Sequence, residues 1–341
     1  MIAMNEKLVS IITPCYNGEK FIHRYLDSLL EQTYSNIEFI FINDGSTDNT
    51  EEIVFKYKDK FNKKGIKFIY IYQKNGGQSS AINKGLKIFK GDYLTWPDSD
   101  DILDKNNIKH KVEYFEKHLD VDILICKTHM LDSEDLSKEM GIYSRIPPKE
   151  KDNLFMDLVL EKNVYFAPGA YMLRSNTFLK LNPKRHIYDG WAGQNYQLLL
   201  PISYYGKCGY LDEYLYYYLV RSDSHSRQDT EFEKLLSNIY QHEICLTTVI
   251  KEMNLKEEEA LLEIVKLKYM RRRLELAYTF KNMHIGKEQY DELKKYTVLS
   301  RKDKRLYYRI KFPILDISIK LIKRVFMMLK GRKESINTVN W

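Results

Sequence analysis

Three carboxylates stand within four residues at Asp98-Ser99-Asp100-Asp101, directly after the apolar run Tyr93-Leu94-Thr95-Trp96. Like charges packed this closely repel, so a strand that ends on such a cluster asks for a counter-charge. Mg²⁺ and Mn²⁺ take oxygen ligands, typically one or two carboxylates completed by substrate phosphates. The competing reading is a solvated turn that caps the next helix, because Asp is favoured at turns and N-caps. The elements that carry the cluster bear on the choice.

Over the first 126 residues, short apolar runs alternate with helical periodicity. Strands are expected at Leu8–Thr13, Ile37–Ile42, Ile66–Tyr72, Tyr93–Trp96 and Val121–Cys126. Helices are expected at about Glu19–Gln32, Asp48–Asn62 and Ser79–Phe89, and from the acidic cluster to His118. This alternation implies βαβ units and a mainly parallel sheet. Ligands of such sheets sit at the carboxyl ends of the strands. The loops Pro14–Gly18, Asn43–Ser46, Lys74–Gln78 and Pro97–Asp101 all fall there, so four polar loops converge on one edge. Downstream, helices are expected at Lys149–Asn163 and Trp191–Tyr205, and a strand at Ala170–Arg174. Cys208–Leu211 and Tyr214–Val220 read as a pair of strands, and a charged helical region runs from Glu231 to about Lys311.

A dinucleotide fold wants Gly-x-Gly-x-x-Gly after the first strand, and Pro14-Cys15-Tyr16-Asn17-Gly18 has one glycine. The P-loop pattern is missing too, so a bound phosphate would need a metal rather than a glycine-rich cradle. Asp44 follows the second strand, where a carboxylate can accept hydrogen bonds from a base or ribose. Four segments occur in order. They are Val9 to Asn17, Ile42 to Asp48, Asn75 to Ala81, and Asp98-Ser99-Asp100-Asp101. Together they resemble glycosyltransferase family 2, and the run Gly206–Tyr218 resembles the same family. The resemblance implies a GT-A fold and a nucleotide-sugar donor. By position it implies that Pro14, Tyr16 and Asp44 contact the uracil and ribose of a uridine nucleotide, with Asn17, Ser46, Asn75 and Ser99 lining the same site. Asp98 and Asp100 would form the Asp-x-Asp element, Asp98 facing ribose and sugar and Asp100 ligating Mn²⁺ or Mg²⁺, with Asp101 a lesser candidate.

Two departures from the family stand out. Ile82 occupies a position that usually carries Arg. The family's acidic base pair is replaced by Gln194-Asn195, and amides cannot serve as a general base. Three readings stay open. The base is Asp189; or it lies in the acidic cluster or elsewhere; or the chain is a weak or silent enzyme. The amides could instead hydrogen-bond acceptor hydroxyls. After the Tyr-rich strand, Arg221 suits a phosphate, and His225 is a lesser metal candidate.

Composition sets the outer limits. Hydrophobic content of 44% with 30% charged residues fits a soluble globular protein. Cys15, Cys126, Cys208 and Cys245 are scattered, which argues against a zinc site or a disulfide framework and for a reducing cytosol. No signal peptide or membrane-spanning run is expected. The net charge of +7 is local, since residues 301–341 hold 12 Lys/Arg against 3 Asp/Glu, leaving 42 against 44 in the first 300. Residues 307–333 place Ile314, Ile317, Leu321, Val325 and Met328 on one helical face with Lys320, Lys323, Arg324 and Lys330 away from it. That pattern fits an anionic membrane surface, or packing on a protein partner. Nucleic acid is not expected.

The combined expectation is an α/β GT-A domain over residues 1–230, Rossmann-like, with a mainly parallel sheet flanked by helices. Its donor half is residues 1–126 and its acceptor half 127–230. A helical extension (231–311) and a basic amphipathic tail (312–341) follow. The expected activity is metal-dependent, inverting transfer of a hexose or N-acetylhexosamine from a UDP-sugar. The acceptor would be a glycan or lipid-linked saccharide, in capsule or other cell-surface polysaccharide synthesis. The expected location is cytoplasmic, peripheral at the inner membrane face, and a homo-oligomer is compatible with it. A silent sugar-nucleotide-binding partner of another transferase is the main alternative. A sugar-phosphate nucleotidyltransferase is the other, but it expects a Gly-rich, Arg- and Lys-bearing loop that Pro14–Gly18 lacks.

Overall fold

The structure, a computed structural model, describes residues 6–145, 153–190, 193–221 and 230–313. The chain divides into two compact units, residues 1–229 with 241–261, and residues 230–240 with 262–341.

In the first unit the chain runs β1 (Val9–Cys15), α1 (Ile22–Leu30), β2 (Ile37–Asn43), α2 (Thr50–Lys64), β3 (Lys67–Tyr72), α3 (Gly77–Ile88) and β4 (Tyr93–Thr95). Every residue of β1, β2 and β4 is buried. Strands covered on both faces read as continuous apolar runs rather than as alternation. β1 pairs in parallel with both β2 and β4, and β2 pairs in parallel with β3. The strands therefore end on a common edge. α1 buries Ile22, Tyr25, Leu26 and Leu29, an i, i+3, i+4, i+7 stripe. α3 lies close on β1, and a Cβ added at Gly85 would stand 2.5 Å from Cγ2 of Ile12.

The chain continues through β5 (Ile102–Leu103), α4 (Asn107–Lys117), β6 (Ile123–Asp132), β7 (Glu139–Tyr143), α5 (Leu154–Leu160), a 3-10 turn (Pro168–Ala170), β8 (Tyr171–Arg174), α6 (Ser175–Leu181), α7 (Gln194–Tyr205) and β9 (Cys208–Val220). The sheet order is β3-β2-β1-β4-β8-β6-β9-β5, with β7 paired to β6. β8 is antiparallel to β4 and β6, while β9 runs parallel to β6 along its length. The expected strand pair at 208–220 is one strand. Its register against β6 jumps from Cys126↔Leu211 to Lys127↔Tyr214, which leaves Asp212 and Glu213 in a bulge. Lys127 pairs with Asp212 there, so the break expected between the two strands is a bulge within one. Among the described residues the helix expected at Lys149–Asn163 is confined to Leu154–Leu160, capped by Asn153.

Helices α8 (Phe232–Glu252) and α9 (Glu258–Phe280) follow. The second unit also holds α10 (Met283–Tyr296) and α11 (Arg301–Lys311). Its core gathers Met270, Leu274, Ala277, Tyr290, Leu293, Leu306, Tyr307 and Ile310, and Tyr290 stacks on Tyr307 at 3.9 Å between centroids. Ser300 and Asp303 form a reciprocal capping box at the start of α11. Of the amphipathic segment expected over 307–333, Tyr307 and Ile310 are buried in this core, and residues from 314 on lie outside the described residues. Among the described residues no helix is long and apolar enough to cross a membrane.

The α3–β1 approach is open to a direct check. Gly85→Val should destabilise the protein by about 1–3 kcal/mol, because the branched Ile12 side chain cannot withdraw from a filled interface. Denaturant unfolding that shows no loss of stability would contradict this packing.

Candidate functional site

The common carboxyl edge of β1 to β4 carries the site, and its loops are built from one another. Asn17, with φ of 51°, donates its N–H to Ser46 Oγ at 3.0 Å and accepts from the Thr47 N–H at 2.9 Å. Gly18 donates to Thr50 Oγ1 at 2.7 Å, and Glu19 to Asp48 Oδ2 at 3.0 Å. These bonds staple the loop after β1 to the loop after β2. Asp44, 4% exposed, accepts from Gln73 Nε2 at 2.7 Å and from the N–H groups of Gly76 and Gly77, both at 2.9 Å. Its negative charge lies against the first turn of α3, where the helix dipole favours it. Gly45 has φ of +77°, and a Cβ there would stand 2.6 Å from the Asn75 backbone nitrogen, so the turn is closed to larger residues. Pro14 is the buried partner of Ile42, whereas Tyr16 and Asn75 are exposed on this edge.

The acidic cluster leaves β4 through Trp96, whose Nε1 donates to Asn195 Oδ1 at 2.8 Å and whose ring stacks near Tyr171. Ligand atoms of Asp98, Asp100 and Asp101 all lie within 4.8 Å of one another. Each carboxylate has a different environment. Asp101 is buried and accepts from Tyr216 Oη at 2.6 Å and from the Leu219 N–H at 2.8 Å, both on β9. Burial, then the charges of Asp100 and Asp98, hold its carboxyl well above the usual range. Asp100 pairs with Arg221 at 3.0 Å, and the guanidinium lies 4.2 Å from the Phe21 ring centre. Asp98 receives a 3.4 Å contact from Gln78 Nε2. Burial and the Asp100 charge push its carboxyl up to about 8. Ser99 is buried beside Cys15. Burial raises the Cys15 thiol to about 12, which makes it a poor nucleophile at neutral pH.

The donor set suits a hard divalent cation. All three groups are oxygen donors, and Asp98 and Asp100 are the two that keep oxygens outside the β9 anchor. A cation between them would relieve the repulsion that raises Asp98.

The residues at the position of the usual base fall into two places. Gln194, the first residue of α7, donates to Gln78 Oε1 at 2.5 Å, so Gln194, Gln78 and Asp98 form one hydrogen-bonded series. Asn195 is buried and serves Trp96. Asp189 is exposed, accepts from Asn83 Nδ2 of α3 at 2.7 Å, and pairs with His186 at 3.3 Å. Ile82 is buried in α3. His225 lies outside the described residues. Sequence reasoning gave no role to Gln78, Phe21, Asn83 or Tyr216. Gln78 lay inside the Asn75–Ala81 motif and Tyr216 inside the Gly206–Tyr218 run, so both offered a signal; Phe21 and Asn83 lay in neither.

With this geometry in view, the family model described as Glycosyl transferase family 2 matches residues 10–179. The chain belongs to this family. An uncharacterized glycosyltransferase of Rickettsia typhi is 34% identical over 189 residues, covering 54% of this chain and 57% of that protein. The glycosyltransferase GlyA of Streptococcus pneumoniae is 30% identical over 239 residues, covering 65% of this chain and 32% of that protein. The chain thus spans less than two thirds of the length of these curated relatives. The crystal structure of S. aureus TarS residues 1–349 in complex with UDP-GlcNAc aligns with a TM-score of 0.59 at 17% identity, covering 91% of this chain and 92% of that one. That likeness establishes the GT-A fold.

The family 2 site carries a pH signature of its own. Between about pH 4 and 8 the folded protein holds a proton on Asp98 that the unfolded chain has released, so this group makes stability fall as pH rises through that window. Asp98→Asn should therefore gain in melting temperature relative to the ligand-free parent as pH goes from 5 to 8.5, by a few degrees. A difference that stays constant with pH would show that Asp98 is not raised.

Proposed function

We propose that the chain is a metal-dependent, inverting glycosyltransferase that moves a hexose or N-acetylhexosamine from a UDP-sugar to a glycan or lipid-linked acceptor in cell-surface polysaccharide synthesis. The observation that carries the reading is the gathering of Asp98, Asp100 and Asp101 within 4.8 Å at the edge where the loops after β1, β2 and β3 also end. The TarS complex with UDP-GlcNAc supports a uridine donor.

In this reading Tyr16, Asn17, Asp44, Ser46 and Asn75 form the nucleoside side of the site. Asp44 has the capacity for both tasks, because Oδ2 accepts one bond in the loop and retains a lone pair for a donor hydroxyl. Asp98 and Asp100 would hold Mn²⁺ or Mg²⁺, which when bound supplies Lewis-acid stabilisation of the diphosphate leaving group. Arg221 is placed beside Asp100 with its fork backed by Phe21, and it can turn to phosphate oxygens from there. Gln78 orients Asp98, and Gln194 orients Gln78.

Asp189 is the proposed base. It is an exposed carboxylate on the loop before α7, its Oδ1 is steadied by Asn83 and its Oδ2 by His186 at 3.3 Å, and each oxygen keeps a lone pair for an acceptor hydroxyl. A second reading has a specific observation behind it. The residue that lies beside Asp98 through Gln78 is the amide Gln194, which cannot take a proton. A protein built this way could bind a sugar nucleotide for another transferase.

UDP release with Mn²⁺ over a panel of UDP-sugars separates the two. The transferase reading expects turnover with one donor, and its collapse in Asp100→Ala. Asp189→Asn should lower turnover about 10²–10⁴-fold while sparing UDP affinity. Unchanged turnover in Asp189→Asn eliminates that base. UDP binding without turnover on any donor favours the silent partner.

A further inference from the structure

Away from the acidic site, a cleft of about 690 Å³ is lined by Lys67, Ile69, Lys87, Ile88, Phe89, Lys90 and Arg185. Four cations from four segments meet there. Lys67 opens β3, Lys87 ends α3, Lys90 lies in the turn into β4, and Arg185 belongs to the loop between α6 and α7. Only Lys67 has a carboxylate within reach among the described residues, the buried Glu38 at 2.9 Å. Glu38 is further engaged by Ser10 Oγ and by the Lys90 N–H, both at 2.9 Å. Lys87 donates to the Lys184 carbonyl at 2.8 Å. Arg185 donates to the Phe89 carbonyl at 3.1 Å and lies 5.0 Å from the centre of its ring. Glu38 thus compensates Lys67, whereas the carbonyl contacts of Lys87 and Arg185 hold those two cations in place without a counter-charge. Lys87 in the last turn of α3 suits its dipole and Lys67 answers the buried Glu38, but the Lys90 and Arg185 side chains answer no carboxylate among the described residues.

The surroundings make this concentration of charge unusual, because the first 300 residues carry two more acidic than basic groups. The position is equally informative. Lys67 and Lys90 stand at the amino ends of parallel strands whose carboxyl ends carry the acidic site. Six residues of β3 separate the two edges, roughly 20 Å at 3.3 Å per residue. A single nucleotide-sugar cannot serve both places.

We propose that this cleft is a binding site for a phosphate-bearing linear glycan, holding a part of the acceptor chain remote from the one that reacts. The cations match phosphate oxygens, Arg185 by its fork and the lysines as point charges. Ile69 and Ile88 supply apolar wall between them for sugar faces. The acceptor role rests on the transferase reading above, whereas the binding does not, so the two can fail separately.

The test uses the full chain and short-chain inorganic polyphosphate as probe, with calorimetric affinities at several salt concentrations. Lys87→Glu with Lys90→Glu should weaken polyphosphate binding on the order of tenfold. It should also lower the salt slope by about two, one per lost contact. UDP affinity should be unchanged, which certifies the fold. Lys87→Gln with Lys90→Gln should give a smaller loss in the same direction. Lys63→Glu with Lys64→Glu, a charge-matched change on exposed α2 residues, should leave binding near the parent. Unchanged polyphosphate affinity in the cleft variants, or an equal loss in the α2 control, overturns the site. Orthophosphate binding as tightly as polyphosphate overturns the chain ligand.

Discussion

Mutual repulsion among Asp98, Asp100 and Asp101 is the constraint to which the rest of the site is fitted. Three carboxylates within 4.8 Å cost free energy unless each finds a partner. The fold answers unequally. Asp101 is taken inside and bound to β9 by Tyr216 and the Leu219 N–H. Asp100 leans on Arg221. Asp98 has an amide contact, and its carboxyl stays raised by burial and by Asp100. The strain is thus concentrated on the pair that faces the loops, where a bound cation and its phosphates would relieve it. Such stored repulsion is a usual cost of a functional site.

A second layer of organisation comes from polar side chains that hold loops to loops. Asn17 and Ser46 tie the first two loops together, and Asp44 ties the second to the start of α3. Residues whose types suit nucleotide recognition are therefore already engaged in the scaffold. The two tasks are compatible, because carboxylate and hydroxyl oxygens hold more lone pairs than the loop bonds use. An edge stapled in this way presents its remaining acceptors at fixed positions, which reduces the ordering cost of binding a ligand.

The family's usual base position shows how a substitution can keep geometry while changing chemistry. Gln194 still opens α7 and still reaches toward Asp98, through Gln78, but it offers an amide. Its neighbour Asn195 holds the Trp96 ring, which sets the direction in which the chain enters the acidic cluster. The loop that carries Asp189 is bonded to α3 through Asn83, which accepts from the Ile187 N–H and donates to Asp189. α3 thus positions groups at both of its ends, the Asp44 carboxylate at the first turn and the Lys87 ammonium at the last.

What the sequence determined by itself was the half of the sheet in which pattern and burial coincide. β1, β2 and β4 are buried on both faces, so their apolar runs were unambiguous, and the polar loops between them were legible as one edge. The acidic cluster and Asp44 were legible for the same reason, since they follow strands whose ends were plain. Tertiary structure alone decided the rest. β9 is continuous because its pairing with β6 runs past a bulge at Asp212 and Glu213, whereas the sequence reads as two strands on either side of those residues. β7 is a short edge strand with Met140 and Ile142 exposed, and it has no buried face to impose a pattern. Asp98, Asp100 and Asp101 are chemically identical in the chain. They differ only because β9, Arg221 and Gln78, each distant in sequence, give every carboxylate a different share of burial and counter-charge.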